Sequence, residues 1–149
     1  MATVDKGRMR DTSKIREEIK QAFGRVPTWV NEIPEQALEG FWATMRDLQL
    51  AETAIPNKYK ELIGLGVSGA TRCRYCTLFH TEAAKLFGAT DQEIREAAMM
   101  AAHTMGASTF LNAIQPDWET FRQETLAAIA HARGQMGLQA GSQGSRAHA

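Results

Sequence analysis

The sequence predicts an all-α fold of helices joined by short breaks. Three observations carry this. Apolar residues recur at helical spacing in one segment after another. Prolines and glycines fall at the joints between those segments. No stretch shows the apolar–polar alternation that a half-buried strand requires. At 149 residues the chain is expected to be one domain, residues 1–133, followed by a flexible tail, 134–149.

The elements follow in order. In "DTSKIREEIKQAFG", Ile15, Ile19, Ala22 and Phe23 share one helical face, and Gly24 is a stop signal. "RVPTWVNEI" reads as a connector with one short helical turn. Pro34 suits the first turn of the next helix, where a missing N–H leaves no bond unmade, and Leu38, Phe41, Trp42, Met45 and Leu48 follow at helical spacing. Pro56 repeats the device and opens "NKYKELIGLGVSGA", whose glycines 64, 66 and 69 weaken the helix and let another element come close. Thr71 is placed as the N-cap of a helix over 72–87, with Gly88 as its stop. "TDQE" at 90–93 has the capping-box pattern and starts a helix rich in Ala and Met. A short helix is expected over Ser108 to Ile114, and a last one from Pro116 to about Arg133. The tail "GQMGLQAGSQGSRAHA" has four glycines and no periodic apolar face. The stretch "AAMMAA" (97–102) is apolar all round and must be covered on most sides, either by a second copy or by a central place in its own monomer.

Bulk properties exclude several classes. Lys plus Arg and Asp plus Glu number 17 each, so the chain lacks the basic surplus of a nucleic-acid binder. The opening "MATVDKGRMRDTSK" has no apolar signal-peptide core, and no apolar run approaches a membrane span. The expectation is a soluble, cytoplasmic protein, in whose reducing surroundings a paired-cysteine motif points to redox or metal chemistry rather than a structural disulfide.

That motif is "TRCRYCTLFH", and it holds the only two cysteines. On a helix, Cys73, Cys76 and His80 fall on one face. Cys73 would lie in the first turn, near the positive end of the helix dipole and flanked by Arg72 and Arg74, all of which favour thiolate. His80, one turn beyond Cys76, can serve as its base, and residues i and i+3 lie within disulfide reach. Acidity alone achieves little. Lowering a thiol pKa from about 8.5 by about 2 units raises the thiolate fraction at pH 7 about 25-fold but weakens the nucleophile about 8-fold. Protonation of the leaving group, typically about 10²–10⁴-fold, is the larger effect, so His80 and a carboxylate that orients it matter more. Glu61, 12 residues before Cys73, is the candidate carboxylate, against the alternative of an ordinary solvated glutamate.

Rival readings exist. Both cysteines can be inert buried hydrophobes. Cys73, Cys76, His80 and His103 have the right types for zinc, although zinc sites usually come from two separated pairs. Thr77 stands where haem attachment needs histidine. His103, beside Met99 and Met100, reads as a core histidine, and Trp42, Met45, Phe79, Met99 and Met105 read as core.

The segment "KELIGLGVSGATRCRYCTLFHTEAAKLFGATDQEI" resembles the core of the alkylhydroperoxidase D and carboxymuconolactone decarboxylase superfamily. The shared pattern is Glu61, eleven residues, Cys73-x-x-Cys76, three residues, His80, then the Gly88–Ala89–Thr90 turn. The close match spans about 56–95. The resemblance implies an all-helical, alkylhydroperoxidase D-like (AhpD-like) fold in trimers or hexamers. It implies thiol-dependent reduction of organic hydroperoxides, with no cofactor beyond a redox-active Cys73–Cys76 disulfide. By that resemblance Cys76 attacks the peroxide, Cys73 resolves, Glu61 and His80 relay protons, and a lipoylated protein or other thiol returns electrons. One departure stands out: Tyr75 replaces the histidine that precedes the second cysteine in alkylhydroperoxidase D, and tyrosine is a poor base near neutral pH. The other readings on the same fold are a redox sensor or interaction module, and a decarboxylase-like enzyme, although the decarboxylase branch usually lacks the cysteine pair.

Overall fold

A computed structural model describes residues 11–146, with side chains described through Met136. Among the described residues every regular element is helical. They run α1 (Ser13–Phe23), a 3-10 turn (Thr28–Glu32), α2 (Glu35–Thr44), a π-helical turn (Met45–Leu50), α3 (Asn57–Ala70), α4 (Arg74–Leu86), α5 (Asp91–Ile114) and α6 (Trp118–Arg146). The chain forms two compact units, Met1–Ala102 and His103–Ala149.

In the first unit, α1 ends where the sequence predicts, with Gly24 in the left-handed conformation (φ 74°) that a side chain disfavours. Ile19, Val30, Leu38 and Trp42 bury one another, with Ile15, Phe23, Val26, Ile33, Met45 and Leu50 packed around them. The Trp42 indole N–H donates to Glu18 Oε2 at 2.7 Å, and Arg46 Nη1 donates to the same oxygen at 2.9 Å. The helical stripe expected from Leu38 through Leu48 holds only in part, because Phe41 and Leu48 are exposed. For Leu48 the cause is the π-helical turn, sealed by Ala51 N–H donating to Arg46 O at 3.1 Å, an i to i−5 bond. Its wider turn breaks the 3.6-residue period and re-aims the residues after Met45. The carbonyls at its end are closed by α3: Asn57 Nδ2 donates to Leu50 O (3.0 Å) and Lys60 Nζ to Ala51 O (2.6 Å).

Helices α3 and α4 form a tight hairpin. The turn corrects one expectation. Thr71 closes α3 instead of opening α4, and Cys73 is the N-cap of α4. The reason is local: Thr71 N–H donates to Val67 O at 2.9 Å, and Arg72 takes a left-handed φ of 58°, so α4 begins only at Arg74. Gly88 (φ 81°) follows α4, and the capping box is present, with Glu93 N–H to Thr90 Oγ1 at 3.1 Å and Thr90 N–H to Glu93 Oε2 at 2.8 Å.

Further on, the short helix expected over Ser108–Ile114 is the end of one continuous α5; a lone Gly106 among good helix formers does not break it. In the second unit Asp117, not Pro116, receives the first amides of α6, accepting from Thr120 N–H at 2.9 Å. The backbone of α6 runs through Arg146, past the Arg133 at which the sequence reading ends it. The tail reading for 134–149 falls mostly outside the residues whose side chains are described. Met99 and Met100 in the apolar stretch are exposed, as are Phe110, Trp118 and Leu126. Among the described residues no helix is long and apolar enough to cross a membrane.

Candidate functional site

The hairpin turn sets the thiols. Cys73 N–H donates to Ser68 O at 2.9 Å, and Thr77 both returns its N–H to Cys73 O (2.9 Å) and donates its hydroxyl there (3.0 Å). So held, the Cys73 sulfur accepts the Cys76 N–H at 3.3 Å, as an N-cap side chain does, and stands 2.7 Å from the Cys76 sulfur. Both cysteines are free thiols; Cys73 is half-buried and Cys76 exposed. A disulfide needs about 2.05 Å, so the sulfurs are close to bonding distance.

The two thiols differ in acidity. Hydrogen bonds from the Cys76 side chain and then its backbone N–H hold the Cys73 thiol below its ordinary range, with a smaller contribution from the Tyr75 N–H. The Cys73 sulfur in turn pushes the Cys76 thiol up, and burial adds to it. Cys73 is therefore the more acidic thiol, as its place at the helix start predicts. The dominant cause is hydrogen bonding within the pair rather than Arg72 and Arg74. Arg74 instead lies over the Tyr75 ring at 5.4 Å, and that ring is exposed.

Behind the thiols lies the predicted carboxylate. Glu61 is fully buried on α3, and its Oε2 accepts from His80 Nδ1 at 2.6 Å. With Glu61 as carboxylate, Nδ1 carries the proton and Nε2 is the basic nitrogen. The other carboxylate oxygen is reached by Gln49 Nε2 at 3.4 Å. Helix α4 joins the two pairs, since Cys76 and His80 lie one turn apart. The structure thus brings Cys73 to Cys76 and Glu61 to His80, all within the first unit.

Gln49 was missed by sequence reasoning. It lies in the π-helical turn, and no spacing signal marks a residue re-aimed by a wider turn. Gly64 is one of three glycines expected to weaken the helix and let another element come close, and its neighbour is His80. Among the described residues no three His, Cys, Asp or Glu side chains are grouped to hold a metal ion.

A helical hairpin that presents a Cys-x-x-Cys pair in front of a buried Glu–His pair places this chain in the AhpD-like class of dithiol proteins. Residues 36–116, just over half of the chain and all four predicted site residues, match the carboxymuconolactone decarboxylase family. The chain belongs to that family. It is 26% identical over 77 residues to "uncharacterized protein 4 in cox locus" of Paracoccus denitrificans, a match covering 52% of this chain and 69% of that one. Its fold is similar to the crystal structure of the alkylhydroperoxidase AhpD core from Rhodospirillum rubrum (TM-score 0.62, 26% identity), covering 81% of this chain and 97% of that one.

Proposed function

We propose that this protein is a thiol-dependent peroxidase that reduces organic hydroperoxides through a Cys73–Cys76 disulfide cycle. The observation that carries the reading is a sulfur pair 2.7 Å apart, one helical turn from an imidazole that a buried carboxylate orients. His80 Nε2 takes the proton of Cys76, whose raised pKa makes a base necessary and its thiolate a strong nucleophile. The Cys76 thiolate attacks the terminal peroxide oxygen and the O–O bond breaks. Cys76 becomes a sulfenic acid, and the departing alkoxide takes the imidazolium proton to leave as alcohol. The acidic Cys73, as thiolate, then attacks the Cys76 sulfur; the disulfide forms and hydroxide leaves as water with one proton. An external dithiol, such as a lipoylated protein, donates two electrons and two protons to regenerate the thiols. Cys76, the more exposed sulfur, is the point of attack in that step, and the Cys73 sulfur leaves as a thiolate that still accepts the Cys76 backbone N–H. The working form is a homo-oligomer that covers exposed Met99 and Met100, and its compartment is the cytoplasm.

The test is a thiol count and mass after one equivalent of an alkyl hydroperoxide. Two thiols should disappear with a mass change of about −2 Da, and Cys73→Ser should instead gain about 16 Da as a sulfenic acid on Cys76. Turnover should continue with a dihydrolipoyl donor and vanish in Cys76→Ser; unchanged turnover in that variant would sink the proposal. Stoichiometric oxidation without turnover by any thiol donor would assign the same pair to redox sensing.

A further inference from the structure

Glu61 and Gly64 lie three apart on α3, and so share the face that α4 packs against. A Cβ built at position 64 would stand 2.5 Å from His80 Nδ1 and 2.6 Å from Nε2, where ordinary contact begins at 3.4 Å. The imidazole therefore lies flat on bare backbone, one turn beyond the carboxylate that holds its Nδ1. Nothing about the backbone asks for glycine here, since Gly64 is an interior helical residue without the positive φ of Gly24 or Gly88. Glycine weakens a helix interior, so a reason other than local conformation must account for it. The neighbouring glycines differ: Gly66 would meet only Ala101 Cβ at 3.4 Å, and Gly69 would meet nothing within 4 Å.

We infer that Gly64 is a positioning residue: its missing side chain forms the slot that seats the His80 ring on Glu61. The inference rests on the proposed proton relay for its effect on rate, but its effect on the ring stands apart from that reading. A methyl at 64 has to displace the ring by roughly 1 Å to restore ordinary contact, and a 2.6 Å hydrogen bond lengthened by that much is no longer one. A displacement of that size in a proton-transfer group can lower a rate about 10²-fold. Because the displaced atoms are the far end of a flexible side chain, the fold itself should survive.

The experiment compares the full chain with Gly64→Ala, His80→Ala and the double variant. Nitrogen-15 NMR of the imidazoles should show a protonated, hydrogen-bonded His80 Nδ1 in the parent, assigned by its loss in His80→Ala, and lose that signature in Gly64→Ala. Thiol oxidation by an alkyl hydroperoxide should slow about 10²-fold in Gly64→Ala, yet Gly64→Ala should change the rate less than about twofold in the His80→Ala background. An unchanged Nδ1 signature overturns the inference, and so does an equal loss of rate in both backgrounds. If the ring moves and the parent shows no peroxide reaction, the slot stands and the peroxidase reading fails. Should Gly64→Ala not fold, the double variant, whose slot is empty, must fold; its failure would show that the methyl meets something other than His80 and would also overturn the inference.

Discussion

Replacing Glu61 with glutamine removes a charge and almost no volume. Glu61 is fully buried, with His80 Nδ1 at 2.6 Å on one oxygen and Gln49 Nε2 at 3.4 Å on the other. A hydrogen bond to a charged group contributes about 1.5–3 kcal/mol net, and a neutral one about 0.5–1.5. Neutralising the acceptor therefore removes about 1–1.5 kcal/mol from the imidazolium that forms when His80 takes a proton. At about 1.4 kcal/mol per factor of ten, the charge alone accounts for roughly a 5- to 12-fold slower step. Loss of the fixed tautomer adds to this, within the factor of about 10²–10⁴ that general acid–base catalysis supplies. The expected result is thiol oxidation slowed about 10- to 100-fold. The melting temperature should change by only a few degrees, because the amide can still accept from Nδ1–H. Stopped-flow tryptophan fluorescence or timed thiol trapping after mixing with an alkyl hydroperoxide measures the rate. A Glu61→Gln rate within twofold of the parent would refute the reasoning, as would a loss of the same size when His80 is already alanine.

Three further outcomes follow from particular contacts. The Cys73 thiol is held low chiefly by the Cys76 side chain, so Cys76→Ala should raise the pH at which Cys73 is alkylated, with site occupancy read by peptide mass mapping. The linked stability has a definite sign: a depressed Cys73 pKa stabilises the fold above the ordinary thiol pKa, and that contribution fades as pH falls through the lowered value. An alkylation onset for Cys73 that does not move in Cys76→Ala would contradict the hydrogen-bond origin. Leu38 is fully buried in the core of the first unit, so Leu38→Ala should remove about 2–5 kcal/mol and lower the melting temperature by roughly 5–15 °C in calorimetry. Met99 is 69% exposed, and if a second copy covers it, Met99→Glu should reduce the mass seen by light scattering toward 16.5 kDa; a parent that is already monomeric would exclude the assembly.

Much of the site was legible along the chain because its parts are close in helical terms. Cys73, Cys76 and His80 are set by i, i+3 and i+4 relations on one short segment, and the capping box at Thr90 by a fixed offset. The helix boundary was less legible. Thr71 is a better cap by type than Cys73, and the left-handed Arg72 overrides that preference. The stripe from Leu38 to Leu48 misled because periodicity assumes 3.6 residues per turn, and the π-helical turn departs from it. Gln49 could not be found for the same reason. Ser108 to Ile114, expected as a separate short helix, continues α5, because one glycine at 106 in a long helix lacks the strength to end it.

The sequence by itself determined the helical class, most of the joints, the family and the thiol pair, since each rests on local periodicity, caps or fixed spacings. Tertiary structure alone decided that Glu61 is buried against His80, that Gln49 reaches its second oxygen and that Gly64 leaves room for the ring. Those facts depend on how one helix lies against the next and on which side chains the contact leaves no space for. No spacing along the chain encodes that distance.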